Sequence, residues 1–233
     1  MDLSVAWDFQ QAVSGLKIAV YACPSDPQSD RSRDPGGGRA ILYPTNYGFS
    51  YGPWFVYDPQ TGQGGSGAFF PNSKLDFAAF TDGTSNTLLI SEVRTWQPYR
   101  RNGGPPTTVI PESAAAAGLV IASAPDFRDT GHTEWPDGRV HHAGFTTTLA
   151  PNAESPCPGS EAGRDCDYNS WQEGRNGRAG RPTYAIVTSR SYHSATVNSA
   201  LADGSVRSIS DNIDLSVWRA LSTRAGAEIA NEF

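Results

Sequence analysis

Three of the chain's four histidines fall in one stretch, His132-Thr-Glu134-Trp-Pro-Asp137-Gly-Arg-Val-His141-His142, with His193 standing apart. Imidazoles and carboxylates at this density are the ligands of a divalent transition metal. A metal-dependent enzyme built on His132, Glu134, His141 and His142 is therefore one reading, and it requires the four side chains to converge on one point. The opposing reading is structural. Pro136-Asp137-Gly138 is a turn signal, so the histidines can flank a hairpin and bond to backbone. His132-x-Glu134 matches half of the zinc-deaminase signature, and the Pro-Cys-x-x-Cys half is absent.

His193, Asp203 and a nearby serine would complete a triad only on a strained nucleophile turn, and no Gly-x-Ser-x-Gly elbow is present. A phosphate loop and a dinucleotide fingerprint are missing as well. Gly36-Gly37-Gly38 follows a charged loop and precedes no helix, so it does not cradle a phosphate. The expectation is a protein with no catalytic residue, no metal and no cofactor, and with His193 and Asp203 in structural roles. Cys157 and Cys166 bracket a polar loop containing Gly159 and Gly163, which lets them close a disulfide hairpin in an oxidising compartment. Cys23 is then left reduced.

The elements that must position these residues are short. Gly (24) and Pro (17) are abundant in the 233 residues and hydrophobic residues make up only 38%, which favours strands and turns over long helices. A net charge of −6 without a basic stripe removes the electrostatic term of nucleic-acid binding. The longest apolar run, residues 114–124, has about half the ~20 residues that a membrane-spanning helix needs.

Along the chain, residues 4–16 read as a short amphipathic helix and 18–23 as a strand, followed by an exposed loop to Gly38. The aromatic segment 43–57 reads as strands or packed loops. Asp82-Gly83-Thr84-Ser85-Asn86 is a turn feeding a strand over 87–93 that is apolar on both faces. Residues 100–117 read as a loop insertion, and 145–149 and 184–188 as strands. Residues 196–202 and 205–210 form a hairpin about Asp203-Gly204, a dipeptide suited to a two-residue primed turn. Asp214 then caps a helix bearing Val217, Trp218 and Leu221, with Ile213 and Trp218 as a hydrophobic staple and Gly226 at its C-terminal end.

His193, nine further residues and Asp203-Gly204 resemble the C-terminal signature of a large bacterial family of uncharacterised prepilin-like proteins, which carry a prepilin-type N-terminal cleavage signal. Five other stretches are similar to that family's blocks, in order. They are Tyr21-Ala-Cys23-Pro24-Ser25-Asp26-Pro27, Thr45-Asn46-Tyr47, Asp82-Gly83-Thr84-Ser85-Asn86-Thr87 through Glu92, Gly131 through Asn152, and Trp218 through Gly226.

The resemblance implies an α+β fold in which an N-terminal helix lies on an antiparallel sheet, with long loops and a C-terminal hairpin plus short helix. It implies one domain over residues 1–233 that starts inside the family domain, without the basic leader and long apolar helix of full-length relatives. By analogy with type IV pilins and type II secretion pseudopilins, it implies a structural or assembly subunit outside the cytoplasm. Its partners would be other pilin-like subunits or secretion-apparatus proteins, and it would meet the membrane only through the missing helix. The resemblance also accounts for an unpaired Cys23, because the family often has a cysteine just after that helix. A third reading is a secreted binding module that stacks glycans on Tyr47, Phe49, Tyr51, Trp54 and Phe55.

Overall fold

The computed structural model describes residues 6–177 and 180–228. Its first turns are short: a 3-10 turn at Trp7–Phe9 and the single α-turn α1 (Gln11–Ser14) stand where the sequence predicts a helix over 4–16, of which residues 4 and 5 lie outside the described residues. Phe9 and Leu16 are 57% and 51% exposed, so the apolar stripe has no core to lie on. Without tertiary packing a helix this short does not propagate. The predicted strand over 18–23 is a 3-10 turn, Ala19–Tyr21, with Val20 exposed.

From there the chain builds two five-stranded sheets. β1 (Tyr47–Ser50) and β2 (Phe55–Tyr57) come from the aromatic segment, followed by β3 (Leu88–Glu92) and β4 (Gln97–Arg101). α2 (Ala114–Ser123) precedes β5 (Asp126–Gly131), and the one-turn α3 (Val140–Ala143) runs into β6 (Gly144–Phe145). β7 (Asp167–Asn169), β8 (Thr183–Ile186), β9 (Thr196–Leu201), β10 (Val206–Ser210) and α4 (Leu215–Leu221) complete the α+β fold.

The sheets have the orders β10-β9-β3-β1-β6 and β2-β8-β7-β4-β5. Both are mixed and not antiparallel as the resemblance implies, because β1 pairs with β6, and β4 with β7, in parallel. Parallel neighbours need long crossovers, and long loops supply them here.

Three further predicted elements differ. Residues 100 and 101 belong to β4, and the Ala-rich end of the predicted loop is the start of α2, capped by Ser113 Oγ, which accepts from Ala116 N at 3.2 Å. The strand predicted over 145–149 ends after Phe145. Beyond it, Thr146, Thr147 and Thr148 leave the first sheet: Thr146 N donates to Val187 O at 2.7 Å, Thr148 Oγ1 to Ala185 O, and Thr147 Oγ1 bonds Ser222 Oγ. This seam joins the two sheets through side-chain hydroxyls. β3 is covered on both faces only in part, since Leu89 and Ile90 are half-buried while Ser91 and Glu92 are buried.

The hairpin β9–β10 forms in the predicted place, but its turn is of another type. Leu201 accepts from Gly204 N and donates to Ser205 O, and within the turn only Gly204 has positive φ (+84°). This is a type I turn closed by a left-handed glycine, the three-residue alternative to the primed turn. Asp203 stabilises it by accepting from Ser205 N at 2.9 Å. Asp214 Oδ1 caps α4, accepting from Ser216 N at 2.8 Å and Val217 N at 3.3 Å. The helix ends at Leu221 with Ser222 as its C-cap, four residues before Gly226.

Core residues gather around α4 on the first sheet (Leu88, Phe145, Val197, Trp218, Leu221) and around α2 on the second (Trp54, Val120, Ile121, Tyr168, Ile186). Tyr51, Val56, Val140 and Val187 fill a third cluster.

Candidate functional site

Residues of the resemblance blocks outside 131–152 collect in two polar knots. In the first, Asp26 Oδ2 accepts from Asn46 Nδ2 at 2.7 Å and from both Thr95 N and Thr95 Oγ1 at 2.9 Å. Asn46 Oδ1 accepts from Cys23 N, and its Nδ2 also donates to Val93 O. Beside them, Glu92 at the end of β3 holds His193: Oε1 lies 3.1 Å from His193 Nε2, while Oε2 accepts from Asn198 N of β9 at 2.7 Å.

In the second knot, Asp82 accepts from Gly226 N and Ala227 N at 2.7 and 2.9 Å, and Asn86 Nδ2 donates to Asp82 O. Gly83 takes φ +97°, which starts the 3-10 turn Thr84–Asn86. Asp203 N donates to Thr84 O, so the Asp203-Gly204 turn docks on this one.

His193, Glu92, Asp82, Gly83, Asn86, Asp203 and Gly204 are thus all engaged in holding strands and turns together. His193→Ala removes the partner of a buried carboxylate oxygen and is expected to cost roughly 1–3 kcal/mol. Urea denaturation at pH 7.5 checks it, and an unchanged midpoint would show that Glu92 needs no imidazole.

Cys157 and Cys166 form a disulfide, with Cα atoms 4.9 Å apart, and Cys23 is free and buried. Cys23 Sγ lies 4.0 Å from His193 Nε2, and Cys23, Glu92 and His193 present ligand atoms within 4.8 Å of one another. Thiolate, carboxylate and imidazole would suit a zinc-like cation, although both oxygens of Glu92 already accept hydrogen bonds.

The His132–His142 stretch is not the hairpin that its turn signal suggests. Asp137 N does close a turn on Glu134 O, but the chain then enters α3, which carries His141 and His142 inward. The four predicted ligands do not converge. Glu134 and His142 meet at 3.4 Å and are joined by Asp137, whereas His132 and His141 are not part of that group.

His132 Nδ1 lies 3.2 Å from His142 O, and His141 Nδ1 accepts from Asn169 Nδ2 at 2.7 Å. Burial pushes His132 down to about 4 and holds His141 and His142 well below the ordinary imidazole value, so all three are neutral at pH 7.

A cation at Glu134 and Asp137 would compete with resident arginines. Arg33 pairs with Glu134, and Arg139 grips Asp137 with Nε 2.9 and 2.8 Å from its two oxygens. Burial alone would lower the Arg139 pKa; the Asp137 carboxylate raises it above the ordinary value. These pairs belong to a larger structure that sequence reading missed.

A pocket of about 180 Å³ is lined by Arg33, Arg39, Arg101, Arg128, Arg139 and Arg175, with Asp8 and Glu134 as the lining carboxylates among the described residues. The arginines come from the loop before β1, from β4, β5 and α3's leading turn, and from the 3-10 segment Gln172–Gly177. Alternation along β4 places Tyr99 and Arg101 on one face. Their separation along the chain hides the cluster from any scan for a basic run.

Beside the pocket, burial pushes Glu173 up to about 7; its carboxylate accepts from Val140 N at 3.1 Å and from Asn169 Nδ2 at 3.3 Å.

The aromatic segment divides between core and surface, with Tyr47, Phe49 and Phe55 only partly covered. Tyr51 and Trp54 are buried, and the partly exposed Phe49 packs against Phe69 with the ring planes 50° apart. Trp54 Nε1 donates to Thr108 O at 3.0 Å, as expected of a core indole.

A family model described as "Protein of unknown function (DUF1559)" matches residues 1–216. No curated protein and no solved structure matches the chain.

Proposed function

Taking as premise that the chain belongs to the DUF1559 family of proteins of unknown function, we propose that it is a non-catalytic structural or assembly domain of a pilin-like extracytoplasmic apparatus. One observation carries this reading: the carboxylates of the two polar knots are spent on the loops and strands around them. Glu92 spans His193 and β9, Asp26 gathers Asn46 and Thr95, and Asp82 holds the segment after α4. A carboxylate saturated by backbone amides is built to fix loops and is poorly disposed to act as a base. The Cys157–Cys166 disulfide supports an oxidising compartment, the periplasm or the cell surface. Its partners in this reading are other pilin-like subunits or secretion-apparatus proteins, with no role for nucleic acid.

Fractionation of producing cells tests the proposal. The protein is expected outside the cytoplasm and crosslinked to pilin-like subunits, with non-reducing mass spectrometry showing one bridge, Cys157 to Cys166, and Cys23 reduced. Recovery in the cytoplasm with all three thiols free would overturn it. So would turnover of generic ester, phosphate or glycoside substrates that His132→Ala or His193→Ala abolishes.

A further inference from the structure

We propose that the arginine-lined pocket between β4, β5 and the 3-10 segment Gln172–Gly177 binds a dianionic oxyanion group, phosphate or sulfate, either free or as a monoester. The proposal is independent of the assembly reading, since it rests on a different part of the molecule.

Charge is the first argument. The chain carries a net −6, yet six guanidinium groups converge on this one pocket against two lining carboxylates. Asp137 behind them is gripped by Arg139, and Glu173, pushed up to about 7, holds less than a full charge at neutral pH. Three cations remain uncompensated. Among the described residues Arg101, Arg128 and Arg175 make no ion pair.

Hydrogen bonding is the second argument. Arg101 Nη1 donates to the neutral Gln172 Oε1 at 2.9 Å, the same oxygen that receives Arg139 Nη1 at 3.0 Å, and Arg101 Nε is buried with no partner. Arg128 donates to the backbone oxygen of Phe127. Guanidinium donors satisfied by neutral carbonyls, or not at all, are donors held ready for a charged acceptor. Burial lowers the pKa of Arg33, Arg101 and Arg175, and neighbouring guanidiniums lower each further. A bound anion relieves that repulsion.

The ligand class follows from the geometry. The planar fork of arginine matches oxyanions bidentately, and several uncompensated cations favour a dianion over a single carboxylate. The half-buried Trp7 in the wall gives the carrier of an ester an apolar surface.

Titration calorimetry with sodium phosphate, sodium sulfate and glucose 6-phosphate, at constant ionic strength in chloride, tests the site. Saturable one-to-one binding is expected for the dianions and none for chloride. Arg101→Gln should weaken it at least tenfold. Arg175→Gln, at an exposed position without an ion pair, should do so without touching the fold. Arg164→Gln, on the disulfide loop where it pairs with Glu161, should not. Tighter binding of glucose 6-phosphate than of inorganic phosphate assigns the site to monoesters, and equal binding assigns it to the free ion. Absence of saturable binding, or binding unaffected by both Arg101→Gln and Arg175→Gln, overturns the proposal.

Discussion

Replacing Arg190 by Met is expected to destabilise the protein by about 3–5 kcal/mol at pH 7.5, the usual cost of leaving a buried charge without its partner. Arg190 and Asp167 are 1% and 2% exposed. Arg190 Nη1 meets Asp167 Oδ1 at 2.5 Å, and Nη2 donates to Ser155 Oγ at 2.6 Å and to Ala153 O at 3.2 Å. The pair ties β7 to the chain beyond β8, and Arg190 N reaches Glu92 O of β3 at 3.0 Å, so both sheets meet at this residue.

Burial pushes Asp167 up to about 6 even though Arg190 pulls the other way. Without Arg190 the value rises further, and the carboxyl protonates at a higher pH in the folded state than in the unfolded chain. The penalty is therefore fully present above that raised value and shrinks as the pH falls through it. Denaturation of Arg190→Met at pH 7.5 and pH 5 should show the difference from wild type narrowing. The double variant Arg190→Met with Asp167→Asn should recover much of the loss at pH 7.5. If it recovers none, the loss comes from packing and not from a stranded carboxylate.

Trp218→Ala is expected to cost a similar amount, about 3–5 kcal/mol, out of a total of ~5–15 kcal/mol for a domain. Trp218 is fully buried, its ring centroid lies 6.1 Å from that of Phe145, and Leu88, Val197 and Leu221 share its cluster. Ile213 packs against the same cluster from the N′ position, so truncation also removes one half of the staple that sets the entry to α4. Urea denaturation followed by far-ultraviolet circular dichroism is the measurement. A wild-type midpoint for Trp218→Ala would mean that α4 does not anchor the first sheet.

The three neutral histidines and the arginine pocket sit side by side, and the contrast is informative. Desolvation removes charge from imidazoles, whose pKa is within reach of neutrality, but leaves guanidiniums charged. Packing both kinds of group near Tyr99 and Arg139 therefore concentrates positive charge on the arginines alone. An ionic site arises where the sequence offers what reads as a histidine cluster.

What the sequence determined by itself was local. The Asp203-Gly204 hairpin, the Asp214 cap, the apolar face of α4 that carries Trp218 and the Cys157–Cys166 loop depend on residues close together in the chain, and cap geometry, left-handed glycine and helical spacing act over such distances.

The tertiary structure decided everything that depends on distant partners. The apolar stripe near the start stays short, with Phe9 and Leu16 more than half exposed among the described residues. The strand predicted over 145–149 stops because Thr146 and Thr148 find an acceptor on β8, Ala185 O, and Thr146 a donor just past it, Val187 N. Glu92 acquires His193, Asp167 acquires Arg190, and six arginines from five parts of the chain acquire a common pocket. Coulombic and hydrogen-bond terms act through space, so a charge pattern that looks scattered along the sequence becomes a site only once the two sheets have placed it.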